Sequence, residues 1–282
     1  MKLSIVILNF NTKELTLKCV DSILKNTTGV DYEILVVDNG SDEKIPKSKK
    51  YRLIESKENL GFAGGNNLAR KFVKGEYVLF LNSDTEVYKN TLKETVNYLN
   101  KNKDVGGVTV KMILPNGKLD RDARRSFPTP WVSITHFSGL DKLFPKSKLF
   151  ARYWYGYKST DEIAEVDVFQ GAFFMTRKVI LEKVGWFSED YFLDGEDLDL
   201  SWKIKNEGWK LIYYPNVSIL HIKKASKKKR SLKSKMAGVN SMEIFYIKHQ
   251  WENYPLILNL VVIIAIYFMK MTRFIKAIIP SK

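Results

Sequence analysis

The chain has little cysteine and no apolar segment at its start that could serve as a secretory signal. Of its 282 residues only Cys19 is a cysteine, which excludes an internal disulfide framework and fits a reducing compartment. Cys19 lies in a helical apolar pattern, where we expect a small buried side chain rather than a nucleophile. The apolar stretch 1–8 ends at Asn9 and is shorter than the apolar region of a signal peptide. We therefore expect the protein to stay in the cytoplasm.

Two common phosphate-binding motifs are also absent. Residues 59–67 (Asn-Leu-Gly-Phe-Ala-Gly-Gly-Asn-Asn) are rich in glycine but contain neither Gly-Lys-Ser/Thr nor Gly-x-Gly-x-x-Gly. Gly61 and Gly65 would allow a close backbone approach, with free amide groups at the start of a following helix directed at an anion. An ordinary loop explains these residues equally well.

Positive charge is concentrated at one end of the chain. Residues 223–282 contain thirteen Lys or Arg and two Glu, a net charge of +11, whereas residues 1–222 contain 33 basic and 29 acidic residues, a net charge of +4. This asymmetry predicts a nearly balanced main domain, 1–222, and a basic extension, 223–282, with an anionic partner. It argues against a nucleic-acid groove in the main domain.

Short apolar segments alternate with helical patterns along the main domain. Strands at 3–8 and 32–37 enclose a helix at 12–25, which makes a βαβ unit and hence parallel strands. The uninterrupted apolar run 77–81 is typical of a strand buried on both faces. The predicted fold class is therefore α/β, with a mostly parallel central sheet flanked by helices. The remaining predictions are strands at 52–56, 105–114 and 166–176, a strand pair at 211–214 and 217–220, helices ending at Lys74, Lys101, Val184 and Asn206, and a poorly periodic segment at 120–148.

Polar residues follow several of these strands. Asn9 ends the first, Asp38 and Asn39 end the second, Asn82-Ser83-Asp84 follows the run 77–81, and His221 closes the last. In open α/β sheets, ligands bind beyond the carboxyl ends of the strands, so these side chains are expected at one crevice. The simpler alternatives are an ordinary turn at Asp84 and a structural role for His221.

Acidic residues and large aromatics alternate between residues 185 and 200. Carboxylates among aromatic rings are partly desolvated, and this raises their proton affinity towards the range of a general base. A preference of helix starts for acids explains one or two of these residues but not the six that are present.

Two shorter features are candidate contacts for a second substrate. Arg124 and Arg125 can hold a phosphate, or can simply be a solvated pair. Gly171 and Ala172 are small enough to admit a ligand or another backbone segment.

Together these segments resemble the family 2 glycosyltransferases of the GT-A fold, in particular their rhamnosyltransferase-like branch. In the family's order, Asn9-Phe10-Asn11 is similar to the first nucleotide-contacting turn, and residues 36–42 to the second, whose first aspartate, Asp38, meets the base. Residues 59–67 resemble the glycine-rich nucleotide-sugar loop. Asn82-Ser83-Asp84 corresponds to the Asp-x-Asp metal motif, and residues 195–200 to the Glu-Asp motif that supplies the base. His221 lies where many relatives close the metal site.

Three residues depart from the family pattern. Asn82 replaces the first acid of the metal motif, Asn66 stands where many relatives have arginine, and Ser188 replaces an aspartate. The resemblance then implies a metal site that depends on Asp84, with His221 as a candidate second ligand.

The resemblance implies transfer of a sugar, rhamnose being one candidate, with inversion from a nucleoside-diphosphate donor. The implied roles are Asp197 as base with Glu196 beside it, and Mg²⁺ or Mn²⁺ on Asp84 and His221. The donor would contact Asn9, Phe10, Asn11, Asp38, Asn39, Gly61, Gly65, Asn66, Asn82, Ser83 and Asp84. The acceptor, a glycan or a lipid-linked glycan of surface polysaccharide synthesis, would contact Gly171, Ala172, Arg124 and Arg125.

The extension 223–282 combines basic and apolar segments. Residues 223–235 carry eight basic residues and no acid, and residues 256–269 are almost wholly apolar. That apolar run of about 14 residues is shorter than the roughly 20 needed to span a bilayer. We therefore expect a shallow anchor at the cytoplasmic face of the membrane. The alternatives are a solvated segment for 223–235 and a helix buried against a partner, including a second copy, for 256–269.

Two other functions fit parts of the sequence. One is a nucleotide-sugar or nucleic-acid binding protein that uses the basic extension without catalysis. The other is a sugar nucleotidyltransferase, which is disfavoured because residues 59–67 lack a basic residue for a triphosphate.

Overall fold

A nine-stranded mixed sheet forms the centre of the protein in a computed structural model that describes residues 2–223 and 231–278. The strands are β1 (Leu3–Asn9), β2 (Tyr32–Asn39), β3 (Arg52–Ser56), β4 (Tyr77–Asn82), β5 (Thr85–Val87), β6 (Val105–Ile113), β7 (Arg124–Arg125), β8 (Ala164–Glu165), β9 (Val168–Phe169), β10 (Phe173–Arg177) and β11 (Lys210–His221). Their order across the sheet is β3-β2-β1-β4-β10-β6-β11-β5, with β8 paired to β11, while β7 and β9 form a separate ribbon.

Six strands of the main sheet run in one direction. The ladders β3-β2-β1-β4 and β6-β11 are parallel, and β10, between β4 and β6, is antiparallel to both. The carboxyl ends of β1, β2, β4, β6 and β11 therefore lie along one edge of the sheet, and the start of β10 reaches the same edge. The α/β fold class with a mostly parallel sheet is confirmed.

Helices cover the sheet and extend the chain beyond it. They are α1 (Lys13–Asn26), α2 (Gly61–Asn67), α3 (Thr91–Lys101), α4 (Pro130–Phe137), α5 (Leu140–Leu143), α6 (Lys178–Val184), α7 (Glu196–Asn206), α8 (Leu232–His249) and α9 (Leu256–Ile278), with 3₁₀ turns at Arg70–Phe72, Arg121–Ala123 and Trp251–Asn253. Residues 77–81 of β4 are buried as the apolar run predicts. Cys19 of α1 is fully buried, and burial raises the pKa of its thiol to about 12, which agrees with a packing role.

Three sequence predictions of secondary structure are wrong in detail. The glycine-rich residues form helix α2 themselves instead of a loop that precedes a helix up to Lys74. The segment 120–148 contains β7, α4 and α5. The segment 166–176 divides into β9 and β10, which belong to different sheets. Glycines in 59–67 and prolines in 120–148 lower the helix propensity of these two segments. Their helices form because tertiary packing overrides that propensity.

The last strand and the extension also differ from expectation. β11 continues through Pro215 as one strand with an irregular register between Tyr214 and Ser218. Helix α8 spans Leu232–His249, and α9 continues beyond the apolar run 256–269 to Ile278. The basic residues 224–230 lie outside the described ranges, and the domain boundary at residue 222 stays a prediction.

Candidate active site

A chain of hydrogen bonds joins the carboxyl ends of β1, β2 and β4. Asn9 Nδ2 donates to Asp38 Oδ1 over 3.2 Å and to Ser41 Oγ over 2.9 Å. Asn9 Oδ1 accepts from Thr12 Oγ1 over 3.1 Å, and that hydroxyl lies 2.9 Å from Ser83 Oγ. The predicted turn residues of three separate strands are therefore brought together at one rim.

Asp38 retains one carboxylate oxygen that is buried without a hydrogen bond. The residue is fully buried, Oδ2 accepts no hydrogen bond from the described part of the chain, and Lys44 Nζ lies 3.6 Å from it. A buried acceptor without a donor is costly. A donor on a ligand would remove that cost, which fits the predicted contact with a nucleotide base.

The glycines of α2 serve protein packing. Gly61 has φ +77°, and a Cβ there would lie 2.2 Å from the carbonyl oxygen of Phe192. A Cβ on Gly65 would lie 2.6 Å from Leu8 Cδ1 and 2.9 Å from Asn39 Nδ2. The close approach predicted at these glycines is therefore made to β1, to β2 and to the segment before α7. Asn39 assists this packing by donating to the carbonyl of Gly61 over 2.8 Å.

Asn66 and Phe10 have contrasting environments. Asn66 is buried, and its Nδ2 donates to the carbonyl of Phe62 within α2 over 2.9 Å. Phe10, at the end of β1, is exposed, and the next residue, Asn11, has a left-handed φ of 56°. Both residues are predicted to contact the nucleotide-sugar donor, and of the two only Phe10 is accessible to a ligand.

His221 lies between two aspartates. Its Nδ1 is 2.8 Å from Asp120 Oδ2, and its Nε2 is 3.5 Å from Asp84 Oδ1. The β5–β11 pairing creates this arrangement, since His221 lies opposite Thr85 in the ladder. Burial alone would lower the pKa of His221, but its hydrogen bonds to Asp120 and Asp84 raise that pKa to about 9.

Asp120 is a site residue that the sequence did not reveal. Burial opposes its ionisation, but hydrogen bonds from His221 and Lys223 hold its pKa below the ordinary value. The turn at 116–117 folds the chain back so that the amide of Asp120 donates to the carbonyl of Met112 over 2.9 Å. That Asn-Gly turn is visible in the sequence and is the signal from which a return to the end of β6 can be inferred.

Asp84 and His221 together fit part of a divalent-cation site. Two ligands at right angles, each about 2.1 Å from an ion, lie about 3 Å apart, close to the 3.5 Å observed. A carboxylate that holds one imidazole nitrogen leaves the other for a metal, which is the relation of Asp120 to His221. In residues 2–223 and 231–278 no group of three or more His, Cys, Asp or Glu side chains is suited to a metal, so this pair is only part of a ligand set.

Asp197 and Glu196 begin helix α7 in different environments. Asp197 Oδ2 accepts from Arg125 Nη2 over 2.6 Å and from the amide of Gly171 over 3.2 Å. Burial, and next the charge of Asp197, raise the pKa of Glu196 well above the ordinary value. Buried carboxyl groups with a raised pKa are common where acid–base chemistry takes place, and Glu196 is such a group.

The small residues before β10 connect the two acidic regions. The amide of Gly171 donates to Asp197, and the adjacent residue Ala172 accepts from the amide of Asn82 over 3.2 Å. Asp197 and the Asn82-Ser83-Asp84 turn therefore share one rim of the sheet. The predicted close approach at 171–172 is an approach of protein groups.

The two arginines of β7 are neither solvated nor alike. Arg124 is buried and donates to the carbonyls of Ser159 and Lys158 over 2.6 and 3.0 Å, so its guanidinium is directed away from Asp197. Arg125 is the partner of Asp197. Burial would lower the pKa of Arg125, but the charge of Asp197 raises it instead. An acceptor phosphate held by both side chains does not fit this geometry.

Asp199 has a structural role. It is fully buried and accepts from His249 Nε2 of α8 over 2.7 Å, with Lys203 Nζ at 3.2 Å. Burial opposes its ionisation, but the hydrogen bond from His249 and the charges of Lys203 and Lys248 hold its pKa below the ordinary value. Asp190, which pairs with Lys248, and Asp199 therefore attach α8 to this segment.

Known proteins resemble parts of this chain in sequence. The sequence resembles a poly(ribitol-phosphate) beta-glucosyltransferase of Bacillus spizizenii, with 36% identity over 113 residues, 36% of this chain and 18% of that protein. It is 23% identical over 212 residues to the low-salt glycan biosynthesis hexosyltransferase Agl10 of Haloferax volcanii, covering 73% of this chain and 62% of that protein. The chain thus spans less than two thirds of these relatives.

Solved structures share the fold. GalNAc-T7, crystallised with UDP, GalNAc and Mn²⁺, superposes with a TM-score of 0.62 at 17% identity and covers 89% of this chain and 49% of its own. TarS of S. aureus with UDP-GlcNAc has a TM-score of 0.57 at 17% identity, covering 88% of this chain and 66% of its own. The sequence model of glycosyl transferase family 2 matches residues 4–185. With this match over more than half of its length, the chain belongs to glycosyl transferase family 2 and is a glycosyltransferase.

Proposed function

We propose that this protein is an inverting, cation-dependent glycosyltransferase that moves a sugar from a nucleoside-diphosphate donor to a hydroxyl of a glycan or lipid-linked acceptor. The proposal depends on one observation: Asp38, the Asp84–His221 pair and Asp197 lie at the same rim of the sheet. Hydrogen bonds of Asn9 and Thr12 join Asp38 to the turn that contains Asp84. Gly171 and Ala172 join that turn to Asp197. A nucleotide base, a diphosphate and an acceptor hydroxyl each meet a suitable group there.

Donor binding divides between two parts of the rim. Asp38 Oδ2, which accepts no hydrogen bond from the described residues, would accept one from the base, and the exposed ring of Phe10 would pack on the nucleotide. Asp84 and His221 would hold Mg²⁺ or Mn²⁺, which, when bound, neutralises the charge that gathers on the departing diphosphate. Asp120 fixes the ring of His221 so that Nε2 remains directed at Asp84.

Asp197 is the proposed general base. The acceptor oxygen forms a bond to the anomeric carbon opposite the diphosphate, the bond from that carbon to the diphosphate oxygen breaks, and its electron pair leaves with the diphosphate. Because Arg125 and Gly171 both engage Oδ2, the acceptor proton is expected at Oδ1 of Asp197. Glu196 lies beside this base, and burial together with the charge of Asp197 raises the pKa of Glu196.

A screen of nucleotide sugars tests the proposal and narrows the donor. UDP-GlcNAc and GDP-Man occur with the structural neighbours TarS and the mannosyltransferase of Pyrobaculum calidifontis, and the branch resemblance adds dTDP-rhamnose to this set. We expect one nucleotide sugar to raise the melting temperature only with Mn²⁺ or Mg²⁺, and to be hydrolysed slowly.

The matched variants of this screen are Asp84→Ala and Glu86→Ala, which remove acids two residues apart. The first should abolish the cation-dependent stabilisation and the second should preserve it. Stabilisation that persists in Asp84→Ala would place the cation elsewhere, and a chain that neither binds nor hydrolyses any nucleotide sugar would contradict the reaction.

The place of action that we propose is the cytoplasmic face of a membrane. The extension 223–282 carries a net charge of +11, and α9 is the helix of the described residues that is long and apolar enough to meet a bilayer, with mean hydropathy 1.8. Length and composition alone do not separate a spanning helix from one that lies in the membrane plane.

A further inference from the structure

One face of helix α9 carries large apolar side chains that the rest of the described protein leaves exposed. We call these residues, which recur at alternating intervals of three and four, the α9 stripe: Ile257, Val261, Ile264, Phe268, Met271, Ile275 and Ile278. Ile257 is 79% exposed and Ile264 is 69% exposed. A regular apolar face of this kind requires a partner surface.

The opposite face of α9 lies along α8. Asn259 accepts from the hydroxyl of Tyr246 over 2.7 Å, Lys270 pairs with Glu243, and Arg273 Nε donates to the carbonyl of Lys235 over 2.9 Å. These contacts run from one end of the pair to the other, so α8 and α9 form an antiparallel hairpin.

The hairpin is attached to the catalytic helix. His249 at the end of α8 bonds to Asp199 of α7. Ser241 of α8 packs against Gly195 at the start of α7, where an added Cβ would lie only 2.7 Å from Ser241 Cβ. If α9 crossed a bilayer, α8 would have to enter the hydrocarbon with Glu243 and Lys235, at a high cost. The packing therefore favours an α9 that lies in the membrane plane.

A second surface has the same chemistry. We call it the α4–α5 patch; its exposed apolar residues are Trp131, Ile134, Phe137, Leu143, Phe144 and Leu149. Lys142, Lys146 and Lys148 are exposed around it. The single acid between residues 130 and 150, Asp141, is buried and lies 2.7 Å from His136, so it does not offset the lysines at the surface.

The segments next to the two surfaces contact each other beside Trp202 of α7. Gln250 Nε2, between α8 and α9, donates to the carbonyl of Pro128 just before α4 over 3.4 Å, and the rings of Phe127 and Phe245 stack at 6.2 Å. Arg125, the partner of Asp197, precedes the start of α4 by five residues. The chain segments that carry the two surfaces are thus packed against each other, and one of them continues directly from Arg125.

We propose that the α9 stripe and the α4–α5 patch form one face that rests on an anionic lipid surface, with α9 in the membrane plane. Lipids of negative charge complement Lys142, Lys146 and Lys148 of the patch. The distal end of the hairpin is likewise basic, with Lys233, Lys235, Lys270, Arg273 and Lys276 against Glu243.

A second copy is a poorer occupant of this face. In a dimer with antiparallel α9 stripes, the basic end of one hairpin would lie beside residues 256–269 of the other copy, which carry no charge. The basic side chains would then have no acidic partners on the second copy. This face also indicates the kind of acceptor, an inference that rests on the proposed glycosyl transfer. The acceptor is a lipid-linked glycan whose lipid stays in the bilayer while its sugar reaches Asp197.

Vesicle flotation of the full chain tests the proposed face. Vesicles of phosphatidylcholine with phosphatidylglycerol should carry the protein to the top of a gradient, and pure phosphatidylcholine should carry much less. Val261→Gln/Ile264→Gln in the stripe and Ile134→Gln/Phe137→Gln in the patch should each reduce vesicle affinity at least about tenfold. Val179→Gln on α6, which removes an apolar side chain that is 69% exposed outside both surfaces, should float like the parent.

Donor hydrolysis without vesicles separates this proposal from the proposed reaction. Both double variants should hydrolyse the donor like the parent, because neither surface contributes to donor binding. A parent chain that floats but hydrolyses no nucleotide sugar would contradict the reaction and support the membrane face.

Two results would overturn the membrane face. One is a double variant of either surface that floats like the parent. The other is a parent chain that does not float and instead forms a dimer, which Val261→Gln/Ile264→Gln converts to monomer.

Labelling from outside the vesicles tests the orientation of α9. Leu256→Cys and Lys276→Cys mark its two ends at exposed positions outside the stripe, and Cys19 contributes little background because it is fully buried. An in-plane helix predicts that an impermeant maleimide modifies both ends completely on vesicles that contain phosphatidylglycerol. Protection of one end would show a spanning helix and overturn the in-plane arrangement.

Discussion

Arg125 Nη2 lies 2.6 Å from Asp197 Oδ2, and both side chains are largely buried. The arginine that the sequence associates with an acceptor phosphate therefore holds the carboxylate proposed as the base. With the amide of Gly171 on the same oxygen, Asp197 is fixed in orientation before any substrate binds. Pre-positioning of this kind is what a proton acceptor needs for efficient transfer.

Removal of the arginine alone should damage the fold more than removal of the pair. Arg125→Met leaves a buried carboxylate without its cation, which typically costs about 3–5 kcal/mol. Asp197→Asn in the same chain should restore much of this loss. Urea unfolding of the two single variants and the double variant measures the coupling; effects that simply add would show that the two residues do not interact.

Asp197→Asn should reduce kcat by about 10²–10⁴-fold, because the amide cannot accept the acceptor proton. Donor binding should stay unchanged, as measured by calorimetry with the nucleoside diphosphate and Mn²⁺. Glu207→Gln, which alters an acid at the other end of α7, is the matched control. A kcat close to that of the parent would remove Asp197 from the mechanism.

Asp120→Asn should weaken cation binding through His221. Outer partners of metal ligands are commonly worth about 10–100-fold in metal affinity, and we expect a loss of this order for Mn²⁺ in the presence of the nucleoside diphosphate. Asp122→Asn is a close control, since Asp122 also pairs with Lys223 but makes no hydrogen bond to His221 among the described contacts. Equal affinities for the two variants would contradict the positioning role of Asp120.

Glu196 should make the protein less stable as the pH rises. Its pKa in the folded protein lies well above the ordinary value of 4.5, so the folded state binds the proton more tightly than the unfolded chain. The contribution of Glu196 to stability is therefore fully present below about pH 4.5 and is lost as the pH rises through its folded-state pKa.

Glu196→Gln removes this dependence. The variant should melt at a higher temperature than the parent near neutral pH, and the difference should vanish near about pH 4. Thermal melts across this range measure it, with Glu207→Gln as control. A constant difference at all pH values would show that the charge of Glu196 is not the cause.

The fold class and most of the rim were predictable because they depend on local patterns. The buried run 77–81 and the polar residues at the ends of β1, β2 and β4 are adjacent in sequence to the strands that carry them. Once these strands are parallel, their ends must share an edge. The positions of Asn9, Asp38 and Asp84 at one rim follow from that rule.

Tertiary structure alone decided which partners these residues have. Arg125 and Asp197 are 72 residues apart, and Asp120 and His221 are 101 residues apart; no local periodicity links such positions. The glycines of α2 were ambiguous for the same reason, since a residue without a side chain admits a ligand or a protein segment equally well, and only the packing of Phe192 and Leu8 distinguishes them. The sequence by itself determined where polar groups end the strands, whereas long-range packing determined which charge meets which.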